Sequence, residues 1–347
     1  MIRSSSFVAA LFLIAALSVA TAQSGNSAAQ PSGLPEILSE PSRTEIVSAV
    51  YQDSTYHRRK FENDRFVESR SSVANGGVGA SLFDITGRLE RELRVSIPGA
   101  TESSISDGAI TSEGRIIFGV SSHHGDKFDS YLAEPDKSDV IRPVLRVYPF
   151  VPLRVCAAED GIIWAYGWER SAEDPGREKM VYPSLRAFDL SQGQVFATVG
   201  NTERFSMILG RVPEETVLAC SGNQVTLFFG QGGMLFQVDT RTRKLSKSQA
   251  PALEYNGIRG FAVRPSGELL ALFFKDGRPS IYRWHTLGVM SDPKRGIEKA
   301  EWILYVDEPT DVLDHTMLLG ASGFSKLVFY RWSQGFAEWR SIRLRPK

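Results

Sequence analysis

From about residue 44 onward the chain alternates short apolar runs with turns built from Gly, Asp, Ser and Asn, and shows almost no helical periodicity. Residues 114–120 (GRIIFGV), 161–168 (GIIWAYGW), 224–230 (QVTLFFG) and 268–274 (ELLALFF) are nearly continuous apolar runs. They are rich in aromatic and β-branched side chains, as expected of strands covered on both faces. The pattern therefore predicts an all-β chain of many short strands.

One segment type recurs, an aromatic-containing strand that closes on a polar residue before a turn. It is seen at residues 81–84 (SLFD), 130–134 (SYLAE), 185–189 (LRAFD), 235–239 (LFQVD), 281–285 (IYRWH) and 329–333 (FYRWS). The closing positions are 84, 134, 189, 239, 285 and 333, at intervals of 50, 55, 50, 46 and 48. Two copies share Tyr-Arg-Trp, which puts Trp284 and Trp332 at equivalent positions, and two share a Ser-Gln-Gly turn. Further runs follow, at 89–97, 143–148, 195–199 and 302–306, so each unit reads as four strands. Four strands in about fifty residues is the unit of a propeller blade. The expected fold is a six-bladed β-propeller of four-stranded antiparallel blades over residues 44–347. Residues 44–51 and 61–70 would open the first blade, and 336–344 would be the outer strand of the last. A β-sandwich pair would not repeat every fifty residues, and a seventh blade would have to fit within residues 44–80.

Residues 155–165 (VCAAEDGIIWA) resemble the inner strand, Asp-Gly turn and second strand of NHL-repeat and gluconolactonase-like six-bladed propellers, and residues 185–193 (LRAFDLSQG) resemble their third strand and turn. The resemblance implies a central funnel and, in the gluconolactonase-like members, calcium or a similar axial cation held by Glu, Asn and Asp, each from a different blade. The ligand set of that cation has no residue-by-residue match here, and residues 221–223 (SGN) depart from the turn pattern.

The first residues change the picture of where the chain works. Met1, Ile2 and Arg3 precede an apolar run at 8–20 that ends in Ala20-Thr21-Ala22. One charge, a short apolar core and a small-x-small end predict a signal peptide over 1–22, too short for a comfortable membrane span. Residues 23–43 are small, polar and Pro-containing, and read as a flexible leader. The expected location is secreted or periplasmic, with no stable membrane span after cleavage. Lys+Arg and Asp+Glu both number 40, and loss of Arg3 leaves 39 against 40, a net of −1. No basic excess is present to hold a nucleic acid.

Two cysteines, Cys156 and Cys220, fall on the expected inner strands of successive blades, the third and fourth. In an oxidising compartment they can form a disulfide, or they stand as two buried thiols. His123, His124 and Asp126 are placed by the pattern in a second-to-third-strand loop, where imidazoles and a carboxylate could bind a ligand or a divalent metal, although adjacent side chains diverge. Trp168, Glu169 and Arg170 border a charged loop, residues 171–179, that could dock a glycan or peptide. Asp311, Asp314 and His315 form an acidic group whose oxygens could hold calcium or zinc. Each of these also reads as an ordinary solvated or packed feature. Arg340, Arg343, Arg345 and Lys347 read as a charged edge. The chain has no Gly-x-Ser-x-Gly elbow, phosphate loop or His-Glu-x-x-His.

The leading expectation is a monomeric binding or scaffold module that engages a protein, peptide or glycan through its loop face. The alternative is a metal-dependent hydrolase, lactonase or lyase with a carboxylate/His site in the central funnel.

Overall fold

A computed structural model of the chain describes residues 46–52, 58–170, 180–198, 216–251, 258–275, 278–307, 316–323, 325–333 and 336–343. The segments expected to be signal peptide and leader lie outside them. The described residues are nearly all β, with one 3-10 turn at Gly230–Gly232.

Strand pairing resolves into antiparallel runs that follow one another along the chain. The first run is Arg58–Glu62, Arg65–Ser69, Val78–Asp84 and Leu89–Val95. The second is Glu102–Ile110, Ile116–His124, Lys127–Pro135 and Val140–Arg146. The third is Phe150–Ala157, Ile163–Arg170, Met180–Asp189 and Gly193–Thr198. The fourth is Thr216–Ser221, Gln224–Phe229, Met234–Asp239 and Leu245–Gln249. The fifth is Ile258–Val263, Leu269–Lys275, Arg278–Asp292 and Ile297–Asp307. The sixth is Thr316–Ser322, Lys326–Ser333 and Phe336–Arg343, completed by Ile46–Gln52 from the other end of the chain. Short parallel bridges tie the first run to the second, the fourth to the fifth and the fifth to the sixth.

Why these runs stay together is plain from the burial. Neighbouring side chains on one strand point to opposite faces, and here both faces are covered. Phe118 joins a core with Val67, Leu82 and Leu93 of the first run, while Ile117 beside it joins Phe150, Ile163 and Phe188 of the third. Cores of the same kind lie between the third and fourth, fourth and fifth, fifth and sixth, and sixth and first runs. Each sheet buries its faces only against its neighbours. The leading strands of the runs also pack on one another in turn and return to the start. A cycle of sheets about an axis is a β-propeller.

The ring closes through Ile46–Gln52, which pairs over its whole length with Phe336–Arg343. This corrects two expectations: residues 46–52 belong to the last run and not the first, and residues 336–343 form its third strand and not its outer one. The sixth repeat is also out of phase. Trp284 lies on a third strand and is buried between the fourth and fifth runs, whereas Trp332 lies on a second strand, so the two are not equivalent. Residues 58–70 divide into a tight hairpin at Asn63-Asp64, both at positive φ.

In four of the runs an aspartate at or just past the end of the third strand folds the next turn, while His285, expected to close its segment, lies within strand Arg278–Asp292. Oδ1 of Asp84 accepts the Thr86 N–H at 2.9 Å, Asp136 that of Ser138 at 2.8 Å, Asp189 that of Ser191 at 2.7 Å and Asp239 that of Thr242 at 2.7 Å. In the second run the residue is Asp136 rather than Glu134. All four carboxyls are held below the usual range. At Asp84 burial pushes upward and the bonds from Thr86 and Arg88 outweigh it; Asp136 is lowered first by Arg142, Asp189 by Ser191 and Asp239 by the Thr242 N–H. A folded-state pKa below the unfolded one adds stability above about pH 4 that is lost as pH falls through the lowered value. The urea midpoint should therefore drop below about pH 4. It should drop less steeply when all four are Asn.

Candidate functional site

The leading strands line a cavity of ≈ 380 Å³ on the axis, with walls that include Lys60, Asp107, Arg154, Leu218, Ala262 and Leu318, one residue from each run. Strand Arg58–Glu62 explains its polar side. Alternation sends Arg58, Lys60 and Glu62 to one face and Arg59 and Phe61 to the other. Phe61 enters the core between the sixth and first runs, and Arg59 pairs with Glu68 at 3.0 Å.

Leading strands that meet edge to edge leave main-chain groups without sheet partners, and those groups must be satisfied. Polar side chains do this across the seams. Arg58 Nη1 donates to the Ser106 carbonyl at 2.6 Å and the Leu153 carbonyl at 3.4 Å. Glu62 Oε2 accepts the Ile110 N–H at 2.9 Å, and Asn63 Nδ2 donates to the Ile110 carbonyl at 2.6 Å. Asp107 Oδ2 accepts the Val155 N–H at 2.9 Å, and Arg154 Nε donates to the Thr216 carbonyl at 2.8 Å. Ser221 Oγ donates to the Arg264 carbonyl at 2.9 Å, and Ser322 Oγ bonds Asp64. Between the fifth and sixth runs the backbones meet directly at Gly260, φ 101°, where a Cβ would stand 2.2 Å from the Leu318 carbonyl oxygen.

Lys60 is the centre of the polar wall. Its Nζ donates to the Val155 carbonyl at 2.5 Å and lies 3.4 Å from Glu62 Oε2 and 3.8 Å from Asp107 Oδ2. The Asp107 side chain is 4 % exposed, so an unpaired carboxylate there would be costly. Burial pushes the Glu62 carboxyl above its ordinary value, against the pull of the Lys60 ammonium. The seam between the third and fourth runs carries a covalent link as well. Cys156 and Cys220 form a disulfide, with Cα atoms 5.5 Å apart.

Apart from the two cysteines, the described residues singled out from sequence do not converge on one site. His123 and His124 end strand Ile116–His124 rather than sitting in a loop, and only Gly125 and Asp126 form the turn. His123 is exposed and packs its edge on Phe128, while His124 Nε2 lies 2.9 Å from Ser122 Oγ. Trp168 and Glu169 lie within strand Ile163–Arg170. Glu169 pairs with Arg186, and Trp164 is fully buried against Phe196, so it offers no stacking face. Arg170 ends that strand; its side chain, residues 171–179, Asp311, Asp314, His315, Arg345 and Lys347 lie outside the described residues.

A divalent cation does not fit the described channel. Among the described residues no three His, Cys, Asp or Glu side chains are placed to hold a metal. Glu62 and Asp107 already share the Lys60 ammonium. Sequence reasoning missed this wall, whose signal is the alternation of Arg58, Lys60 and Glu62 before a tight turn. No helix among the described residues is long and apolar enough to cross a membrane.

No family model matches the chain, and no curated protein matches it. Among solved structures it is similar to a gluconolactonase from Xanthomonas campestris, at 12 % identity over 86 % of this chain and 98 % of that one, TM-score 0.44. It is similar to a catalytically inactive virginiamycin B lyase from Staphylococcus aureus solved with quinupristin, at 11 % over 87 % and 100 %, TM-score 0.45. A luciferin-regenerating enzyme is similar at 11 % over 86 % and 97 %, TM-score 0.46.

Proposed function

We propose that the chain is a secreted or periplasmic six-bladed β-propeller of four-stranded antiparallel blades that works as a binding module. It takes its ligand at the mouth of the axial channel, on the face where the second-to-third and inter-blade connections lie. The observation that carries this reading is the state of the channel's charged groups. Lys60, Glu62 and Asp107 are committed to one another and to main-chain groups of neighbouring runs, so they hold the ring and stand ready for no bond-breaking step. A disulfide inside the fold agrees with an oxidising compartment.

The competing reading, a metal-dependent hydrolase, lactonase or lyase, requires a cation on the axis. Protein stripped with chelator should show the same melting temperature with and without added calcium or zinc. A cation held at 100 times its Kd would add about 2.7 kcal/mol and raise the melting temperature by several degrees. Such a rise, or metal bound in equimolar amount after purification without chelator, would replace the binding reading with the enzymatic one.

A further inference from the structure

We propose that the axial channel takes a small organic carboxylate, with its head group on Arg58 and its apolar body against Met317 and Val217. The inference rests on the binding reading above and names the class of ligand.

Three observations carry it. Arg58 lines the cavity, yet its partners are the carbonyl oxygens of Ser106 and Leu153, both on Nη1, and it meets no carboxylate among the described residues. Its guanidinium thus has no direct carboxylate partner among the described residues, and neither bond uses Nε or Nη2. Most other acids and bases on the wall have partners, and Glu159, which meets none among the described residues, sits in the turn beyond the far end of strand Phe150–Ala157. Lys60 holds Glu62 and Asp107, Arg264 pairs with Glu268 at 2.9 Å, and Arg154 bonds the Thr216 carbonyl. A planar guanidinium donating from Nε and Nη2 is matched by a carboxylate, which it binds in a charge-assisted pair.

The second observation is position. The hydrogen bonds from residue 58 to 106 and from 62 to 110 keep one offset, so these leading strands run parallel and start at the same end. Arg58 lies level with Ser106, in the middle of Glu102–Ile110, and with Leu153; the next position, Arg154, is level with Thr216, so Val217 stands near the same height. Met317 precedes Leu318, which pairs with Gly260. Arg58, Val217 and Met317 line the same cavity. The third observation is the exposure of Met317, 46 %, next to the fully enclosed Leu318. An exposed thioether lining a cavity is a soft apolar contact without an occupant. A volume of ≈ 380 Å³ lies in the range of small-molecule sites and excludes a folded partner.

Octanoate is the probe, with octanol as its neutral counterpart, and calorimetry and the melting temperature are the readouts. Octanoate should bind and octanol should bind more weakly. Arg58→Gln should lower octanoate affinity about tenfold and leave octanol unchanged. Arg58→Lys, which keeps the charge and guards against misfolding of the first variant, should bind octanoate more tightly than Arg58→Gln and more weakly than the native protein. Met317→Gln should weaken both probes. Equal binding of octanoate and octanol, both lost in Met317→Gln, would overturn the carboxylate assignment and leave the channel as a binding site. Binding of neither probe, or binding that ignores both Arg58 and Met317, would overturn the carboxylate site.

Discussion

Replacing Cys156 and Cys220 together by alanine is expected to lower the stability of the fold by about 4 kcal/mol, read as a fall in the urea midpoint with a somewhat steeper slope, because the freed unfolded chain exposes more surface. The cross-link joins residues 64 apart in sequence. In the chain-entropy account, the restriction it places on the unfolded state grows with the logarithm of that separation. Its place in the folded state matters equally. Cys156 is fully buried in the core between the third and fourth runs, and Cys220 packs against the same core. Residues 199–215 precede the fourth run and lie outside the described residues, so the disulfide and the Arg154 bond to Thr216 are the polar and covalent ties identified across that seam. A reductant should bring the native protein to the midpoint of the double-alanine variant and leave the variant itself unmoved. Coincident midpoints without reductant would show that the core alone holds the seam.

The repeat was legible because every sheet is covered on both sides. That demand produces continuous apolar runs such as residues 116–120, and it recurs once per sheet, so the period survives even where motifs do not. The aspartates that fold the third-to-fourth turns added a local signal with a mechanism; the repeat located it at Asp84, Asp189 and Asp239, whereas in the second and fifth runs the turns are folded by Asp136 and Asp292 and not at Glu134 and His285. The same uniformity hid the phase of the sixth repeat. Second and third strands are both sandwiched, so both accept Tyr-Arg-Trp, and the motif at 330–332 could not say which strand carried it. Ring closure was illegible for a different reason. The pairing of Ile46–Gln52 with Phe336–Arg343 spans almost the whole chain, and strand composition carries no address for so distant a partner. The axial wall lay in between. A strand reading Arg-Arg-Lys-Phe-Glu does not look like the inside of a protein, and it becomes one only because the neighbouring edges need donors and acceptors.

Lys60→Met is the sharpest test of that wall, with an expected loss of about 3 kcal/mol at pH 8. Removing the ammonium leaves Glu62 and Asp107 facing each other across the first seam, with the Asp107 side chain nearly enclosed. The Coulombic gain of the original cluster is largely cancelled by desolvation, so the loss reports mainly the uncompensated carboxylates. Its pH dependence follows from Glu62. Burial already raises that carboxyl above its ordinary value, and Lys60 is the strongest influence holding it down. Without Lys60 the folded-state pKa rises further above the unfolded one. A carboxyl raised in this way contributes its stability below the unfolded value, near about 4.3, and loses it as pH rises through the folded value. The deficit of Lys60→Met should therefore be small near pH 4.5 and reach its full size above the raised pKa of Glu62. Adding Glu62→Gln should flatten that dependence, and adding Asp107→Asn as well should recover most of the lost stability, because neutral amides can keep hydrogen bonds to the seam without a buried charge. A deficit that is the same at pH 4.5 and pH 8 would mean that Lys60 stabilises the ring through its bond to the Val155 carbonyl alone.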